Sequence, residues 1–245
     1  MLTPEGGRLY TELRLDLILA TLRTLQKRIE ERFPGSGLSQ VAADLGTLAE
    51  STAPVIERAR EPNLLLRAAV GVSVVLVMVL AIAPFYLMRS LPFDAFAGVG
   101  AMFQAIESAT QDLIFLSIAI WFLLTLEGRI KRRTALGELH RLRSVVHVVD
   151  MHQLTKDPEH LFSPGMATPS SPERGMSRFE LARYLDYCSE LLSITSKLAA
   201  CHVQHINDPV VLAAVSDVEV LASNLANKIW QKIVILDTAL RPGSA

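Results

Sequence analysis

The stretch that decides the fold is Ala68–Met88, AAVGVSVVLVMVLAIAPFYLM, which contains 21 residues and no charged side chain. As an α-helix it would be about 31 Å long, which matches the roughly 30 Å hydrocarbon core of a bilayer. Helices inside soluble domains rarely stay uncharged over this length. We therefore predict a membrane-spanning helix over about 64–88.

A second apolar run follows at Leu113–Leu126, LIFLSIAIWFLLTL. On its own it would cover only about 21 Å, so the predicted span extends back to residue 109. Spans over about 64–88 and 109–126 form a transmembrane hairpin, residues 62–128, with an outer loop at 89–108. Apolar residues recur in that loop at helical spacing, so it could be an interfacial helix, a re-entrant segment or an extension of the second span.

Lysine and arginine residues predict the orientation, because they collect on the cytoplasmic side of membrane proteins. Four of them follow the second run at once, namely Arg129, Lys131, Arg132 and Arg133. The loop contains Arg89 as its one basic residue. We expect a multi-pass protein of the plasma (inner) membrane with both termini in the cytoplasm. The four basic residues would anchor it to anionic headgroups, at about 1 kcal/mol each.

The flanking segments carry apolar residues three and four positions apart, which predicts an all-α fold. They comprise N-terminal cytoplasmic helices (1–61), a juxtamembrane basic segment and helix (129–162), a flexible linker (163–176) and a C-terminal helical hairpin (177–245). In the second N-terminal helix the spacing is typical of a coiled-coil seam, which includes Thr52 and which Pro54 interrupts. The C-terminal hairpin should begin at a capping box from Ser177 to Glu180, and Asp208 is the expected N-cap of its second helix. The expected stripe of its first helix is Leu181, Tyr184, Leu185, Cys188, Leu192, Thr195, Leu198 and His202. We expect these amphipathic helices to pack into one cytoplasmic bundle, since neither set could bury its apolar stripes alone.

Several classes of protein are disfavoured by composition and motifs. The formal net charge of −1 gives no basic signal for nucleic acid. Cys188 and Cys201 would lie about 20 Å apart in one helix, too far for a disulfide. The chain has neither a P-loop nor a nucleophile elbow, so we expect a role other than catalysis.

The histidines suggest one candidate metal site. His140, His147 and Asp150 would share one face of a helix, and His202 and His205 are three positions apart near the end of another. If the bundle brought the two groups together, they could bind a divalent metal or sense protons. The alternative is that these side chains form hydrogen bonds or face water. No other cofactor is expected.

Two acidic residues, Glu107 and Asp112, flank the outer end of the second span. In an oligomer they could form an acidic ring at a pore mouth, and the favoured alternative is that water solvates both carboxylates. The expected function is a membrane-anchored helical scaffold or signalling protein that oligomerises or binds a protein partner through its cytoplasmic bundle. The alternative is a small oligomeric ion channel or transport component gated by that bundle, with histidines that sense protons or a divalent metal.

Overall fold

A computed structural model of the protein describes residues 12–60, 64–89, 99–156, 158, 175–204 and 206–238. Within these ranges the chain forms six α-helices and no strand, which confirms the prediction of an all-α fold. The helices are α1 (Leu15–Arg32), α2 (Gly37–Arg60), α3 (Leu64–Arg89), α4 (Val99–Leu154), α5 (Arg178–Cys201) and α6 (Pro209–Thr238).

The chain divides into two compact units. One comprises Met1–Arg60 together with Arg132–Ala245, and we call it the core unit. The other is Glu61–Lys131, and we call it the apolar unit. α4 contributes its first part to the apolar unit and its last part to the core unit.

The core unit is built around a single hydrophobic cluster with side chains from α1, α2, α4, α5 and α6. α5 supplies the largest share, because it is buried on most of its circumference. Every residue that the sequence placed on its apolar stripe is buried, and these residues are Leu181, Tyr184, Leu185, Cys188, Leu192, Thr195, Leu198 and His202. Burial of one aliphatic side chain contributes about 1.5–3 kcal/mol, so this cluster is the main source of stability in the core unit.

Polar side chains define where α5 and α6 begin. Ser177 accepts a hydrogen bond from the backbone N–H of Glu180, and the Glu180 carboxylate accepts one from the backbone N–H of Ser177. This capping box satisfies two donors that a helix N-terminus leaves unpaired. Asp208 is the N-cap of α6, because its Oδ1 accepts hydrogen bonds from the backbone N–H groups of Val210 and Val211. Both caps agree with the sequence prediction.

The long helix α4 differs from the sequence prediction. The span over 109–126 and the juxtamembrane helix within 129–162 were expected as separate elements. Residues 99–108 extend the second span as helix, which was one of the three interpretations of the outer loop. These segments form one helix of 56 residues. The intervening residues favour helix, and Glu127 and Lys131 form an ion pair one turn apart, 3.1 Å long. The predicted linker, 163–176, lies outside the described residues except for its last two.

Pro54 lies inside α2 and does not end it. The sequence predicted an interruption of the coiled-coil seam at this position, within a helix that continues past it, because proline removes one backbone hydrogen bond from a helix. Thr52 and Ile56, on either side of the proline, are both buried. Packing of these neighbours compensates for the lost hydrogen bond.

The turn between α1 and α2 depends on glycine at two positions. Gly35 has a φ of +65°, a left-handed conformation that favours glycine. At Gly37, a Cβ atom would lie 2.3 Å from Cε1 of His152, so the close approach of this imidazole to α2 requires the missing side chain.

Two described stretches are long and apolar enough to cross a membrane, Glu107–Leu154 within α4 and Pro209–Thr238, which is α6. α3 contains the shorter apolar stretch Leu64–Val79. The sequence predicted two such helices but did not include α6. The two stretches differ in burial, since the apolar window of α4 is 0% buried and that of α6 is 28% buried.

Candidate functional site

The apolar unit exposes its large hydrophobic side chains. No side chain described in residues 64–89 or 99–131 is buried. The exposed ones include Leu65, Val72, Val75, Leu76, Val79 and Tyr86 on α3, and Leu113, Phe115, Ile118, Trp121 and Leu124 on α4. Contiguous apolar surface of this kind is rare on a soluble protein and marks a region that another phase or molecule covers.

The hydroxyl groups of this unit form hydrogen bonds within their own helices. Ser73 donates to the carbonyl oxygen of Ala69 at 2.9 Å, and Ser117 donates to that of Leu113 at 2.7 Å. The Thr125 hydroxyl lies 3.0 Å from the carbonyl oxygen of Trp121. In an apolar medium an unpaired hydroxyl is costly, and bonding to the preceding turn removes that cost.

Ionic side chains collect at one end of the apolar unit. Arg67, in the first turn of α3, lies 2.8 Å from Glu127, which follows the apolar run of α4. Glu127 also pairs with Lys131 at 3.1 Å, and its side chain is 17% exposed. The start of α3 therefore lies beside the end of the apolar run of α4.

Arg129 lies against two aromatic rings near the same end. Its guanidinium carbon is 5.2 Å from the ring centre of Trp121 and 4.9 Å from that of Phe122. A guanidinium group stacked on an aromatic ring gains about 0.5–1 kcal/mol of interaction free energy at an exposed site, and more where water is excluded. Tryptophan beside arginine is the composition found where membrane helices meet the headgroups.

The four basic residues predicted to anchor the protein have different partners. Lys131 pairs with Glu127, and Arg132 pairs with Asp208 at 2.6 Å in the core unit. Arg129 and Arg133 are exposed. Their guanidinium groups are therefore the two of the set most accessible to solvent, and contact with lipid headgroups stays a prediction.

The two acidic residues predicted at a pore mouth, Glu107 and Asp112, lie on α4 and are exposed. They are five positions apart, so they point in different directions from the helix. Whether they meet in an oligomer stays a prediction.

The predicted histidine site is not assembled by the residues that the structure describes. His140 and His147 are exposed, and Asp150 accepts a hydrogen bond from the Gln153 amide at 2.6 Å. His202 is buried, and His205 lies outside the described residues. Among the described positions, no three histidine, cysteine or acidic side chains come together as metal ligands.

His202 is instead buried near a polar pair that α2 and α4 form. It follows the last turn of α5 and is 2% exposed, and its Nε2 atom has no hydrogen-bond partner among the described residues. Burial lowers its pKa to about 4, against the opposing charge of Glu138 on α4. The Thr52 hydroxyl of α2 lies 3.0 Å from a Glu138 carboxylate oxygen. This histidine is neutral at pH 7, and taking up a proton there would place a charge in the core.

A second polar network was missed by sequence reasoning. The Lys232 ammonium of α6 donates to the backbone oxygen of Gln153 at 3.0 Å and to its side-chain oxygen at 2.7 Å. Burial raises the pKa of the nearby Cys188 thiol to about 12, although the charges of Lys232 and Lys156 oppose this shift. The thiol is therefore protonated and unreactive at pH 7.

A cleft of about 220 Å³ lies between α1 and α2. Its lining includes Arg23 and Glu50, which pair with each other at 2.8 Å. Small-molecule sites usually occupy about 300–1,000 Å³ and bring together several unpaired polar groups. This cleft is smaller, and its two charged side chains already satisfy one another.

The chain matches no family model, no curated protein and no solved structure.

Proposed function

We propose that this protein is a membrane-anchored helical scaffold or signalling protein. In this proposal α3 and the first part of α4 cross the bilayer as a hairpin, and the core unit binds a protein partner or a second copy of the chain in the cytoplasm. One observation carries the proposal. The core unit buries its apolar side chains in a continuous cluster, whereas no described side chain of the apolar unit is buried.

The assignment of the two spans to α3 and α4, and not to α6, follows from burial. α6 inserts a full face into the core cluster, including Val211, Val218 and Ile229. A helix cannot give the same face to a protein core and to lipid. α3 has 26 residues, about 39 Å as helix, which is long enough to cross a hydrocarbon core.

The proposed orientation rests on the basic end of the hairpin. Arg67, Arg129 and Lys131 lie at the same end of the apolar unit, and lysine and arginine favour the cytoplasmic face. Both termini would then be cytoplasmic, in a plasma (inner) membrane. Arg129 and Arg133 would contact anionic headgroups, with Trp121 and Phe122 at the interface.

Flotation of the full-length protein with liposomes tests the anchoring. We expect protein reconstituted into vesicles to float with the lipid after carbonate and urea washes, because the hairpin is held by apolar contact and not by charge. Arg129→Gln with Arg133→Gln should leave flotation unchanged. The same double variant should lower the preference for anionic over zwitterionic vesicles during reconstitution. Release of the unaltered protein into the aqueous fraction would contradict the proposal.

The channel alternative lacks support from two hydroxyl groups of the second span. The hydroxyl groups of Ser117 and Thr125 bond to their own helix backbone, so they offer a pore little polar surface. Ion flux through liposomes that contain the purified protein, measured across pH and with divalent ions, would favour the channel. Vesicles that stay tight would favour the scaffold.

A further inference from the structure

The outward face of α6 is a stripe without a charged residue. It runs the length of the helix opposite the buried face, and all of its members are exposed. Its central line consists of Leu212, Ser216, Val220, Ser223, Asn227, Trp230 and Val234. These positions are three or four apart, which is the spacing of a helix that packs along another helix.

The stripe has nearly the same arrangement when it is followed from either end. Leu212 and Val234 each lie 11 positions from Ser223, and Ser216 and Trp230 each lie 7 positions from it. If two such helices met in opposite directions at Ser223, Leu212 would face Val234 and Ser216 would face Trp230. A small residue opposite a large one allows close packing between helices.

Charged and apolar residues along one edge of the stripe follow the same symmetry. Asp217 and Lys228 lie on this edge, six positions before Ser223 and five after it. Val210 and Ile235 lie on the same edge, 13 before and 12 after, and both are exposed. A twofold axis perpendicular to two antiparallel helices places the same edge of both helices on the same side of the pair. Residues on that edge of one copy therefore lie beside residues on the same edge of the other copy. Asp217 of each copy would then lie at nearly the same height as Lys228 of the other, on the same side of the pair.

We propose that α6 is a homodimerisation surface, on which a second copy of this chain packs its own α6 antiparallel about a twofold axis at Ser223. This deepens the proposed function and rests on it, because it names the partner of the core unit. The interface is isologous, so one patch supplies both sides and closes at two copies.

A parallel pair is disfavoured by the same residues. In a parallel dimer the two edges of the stripe face each other at equal height. Asp217 would then meet Glu219 of the second copy, since Glu219 lies on the opposite edge. Like charges held together oppose association, whereas the antiparallel pair brings opposite charges together twice.

Cysteine cross-linking in the full-length protein tests the register. Ser223→Cys should form a disulfide-linked dimer under mild oxidation, because the two cysteines face each other across the axis. Ser216→Cys is the matched control, because it replaces an exposed serine of the same stripe. Its two copies would lie about 21 Å apart, beyond the roughly 7 Å limit for a disulfide. The native thiols of Cys188 and Cys201 are buried and should not cross-link.

Charge reversal tests the pairing. Asp217→Lys should weaken the dimer about tenfold, measured by the oligomeric state of the full-length protein in detergent across a dilution series. Lys228→Asp should weaken it similarly, and the doubly reversed chain should regain the dimer. Equal cross-linking at Ser216 and Ser223 would overturn the antiparallel register. Absence of a dimer in protein that still floats with liposomes would overturn the dimer surface and leave the membrane anchor intact.

Discussion

Arg67 and Glu127 form an ion pair 2.8 Å long between the first turn of α3 and the end of the apolar run of α4. In water a pair this exposed on the arginine side contributes little to stability. The ion pair matters for the geometry, because it holds the start of α3 beside the end of the apolar run of α4. The same end carries Lys131 and Arg129, so the pair marks where the proposed hairpin meets the cytoplasm.

An arginine introduced into the apolar run should disrupt membrane integration. We expect Ile118→Arg to shift part of the protein out of the carbonate-resistant membrane fraction. Arginine at the centre of a spanning helix costs about 2.5–3.5 kcal/mol on insertion scales. Quantitative blotting of the membrane and soluble fractions measures the shift.

The control is Val220→Arg on α6. Ile118 is 57% exposed and Val220 is 56% exposed, so the two substitutions alter equally accessible side chains. Val220→Arg should leave membrane integration unchanged, because we assign the outer face of α6 to water or protein. If both substitutions reduced membrane integration equally, the exposed apolar side chains of α4 would not be the ones that hold the protein in the membrane.

Acid should destabilise the core unit through His202. Its pKa is about 4 when folded, against an ordinary value of 6.5, so the unfolded chain binds more protons between these values. The stability that neutral His202 contributes is fully present above about pH 6.5. The free energy of unfolding then falls as the pH drops toward 4, by about 3 kcal/mol in all. Urea unfolding of the full-length protein in detergent, followed by circular dichroism between pH 7 and pH 4, measures this loss.

His202→Leu should remove most of that pH dependence, whereas His147→Leu should retain it, because His147 is exposed. If the unfolding free energy of His202→Leu changed with pH in parallel with that of the unaltered protein, other groups would be the cause of the acid sensitivity.

Truncation of the core should cost far more than truncation of the α6 stripe. Leu185 is fully buried in the first half of α5, and Leu212 is exposed on α6. We expect Leu185→Ala to lower the free energy of unfolding by about 2–5 kcal/mol, because it leaves a cavity. Leu212→Ala should change it by less than about 0.5 kcal/mol in monomeric protein. Urea midpoints at low protein concentration compare the two, and a similar loss for both would contradict the described core.

Gly37→Ala should displace the imidazole of His152, since the new Cβ atom would lie 2.3 Å from Cε1. We expect a lower unfolding midpoint that His152→Ala restores when the two substitutions are combined. A double-mutant cycle of unfolding free energies measures this coupling. Additive effects would show that the two residues are not in contact.

Local patterns in the sequence were sufficient to predict much of the fold. The stripe of α5, the capping box at Ser177 and the Asp208 cap depend on residues within a few positions of each other, and all three predictions hold. The sequence did not predict that α4 is one continuous helix. The uncharged run of the second span and the apolar stripe after the basic residues were interpreted as two separate helices.

The partly buried polar contacts could not be predicted, because they join distant parts of the chain. Thr52 meets Glu138 across 86 positions, and Lys232 meets Gln153 across 79. The sequence did place Thr52 and His202 on apolar stripes, which was a signal that each is a polar group in a core. It gave no indication of their partner.

Cysteine labelling from the two sides of the membrane tests the central claim most directly. Glu107→Cys and Arg133→Cys are exposed positions on α4, on either side of its apolar run. With a membrane-impermeant maleimide on intact cells, we predict that the cysteine at 107 reacts at once. The cysteine at 133 should react only after the membrane is permeabilised. Labelling of both positions from the same side would contradict a membrane-crossing hairpin.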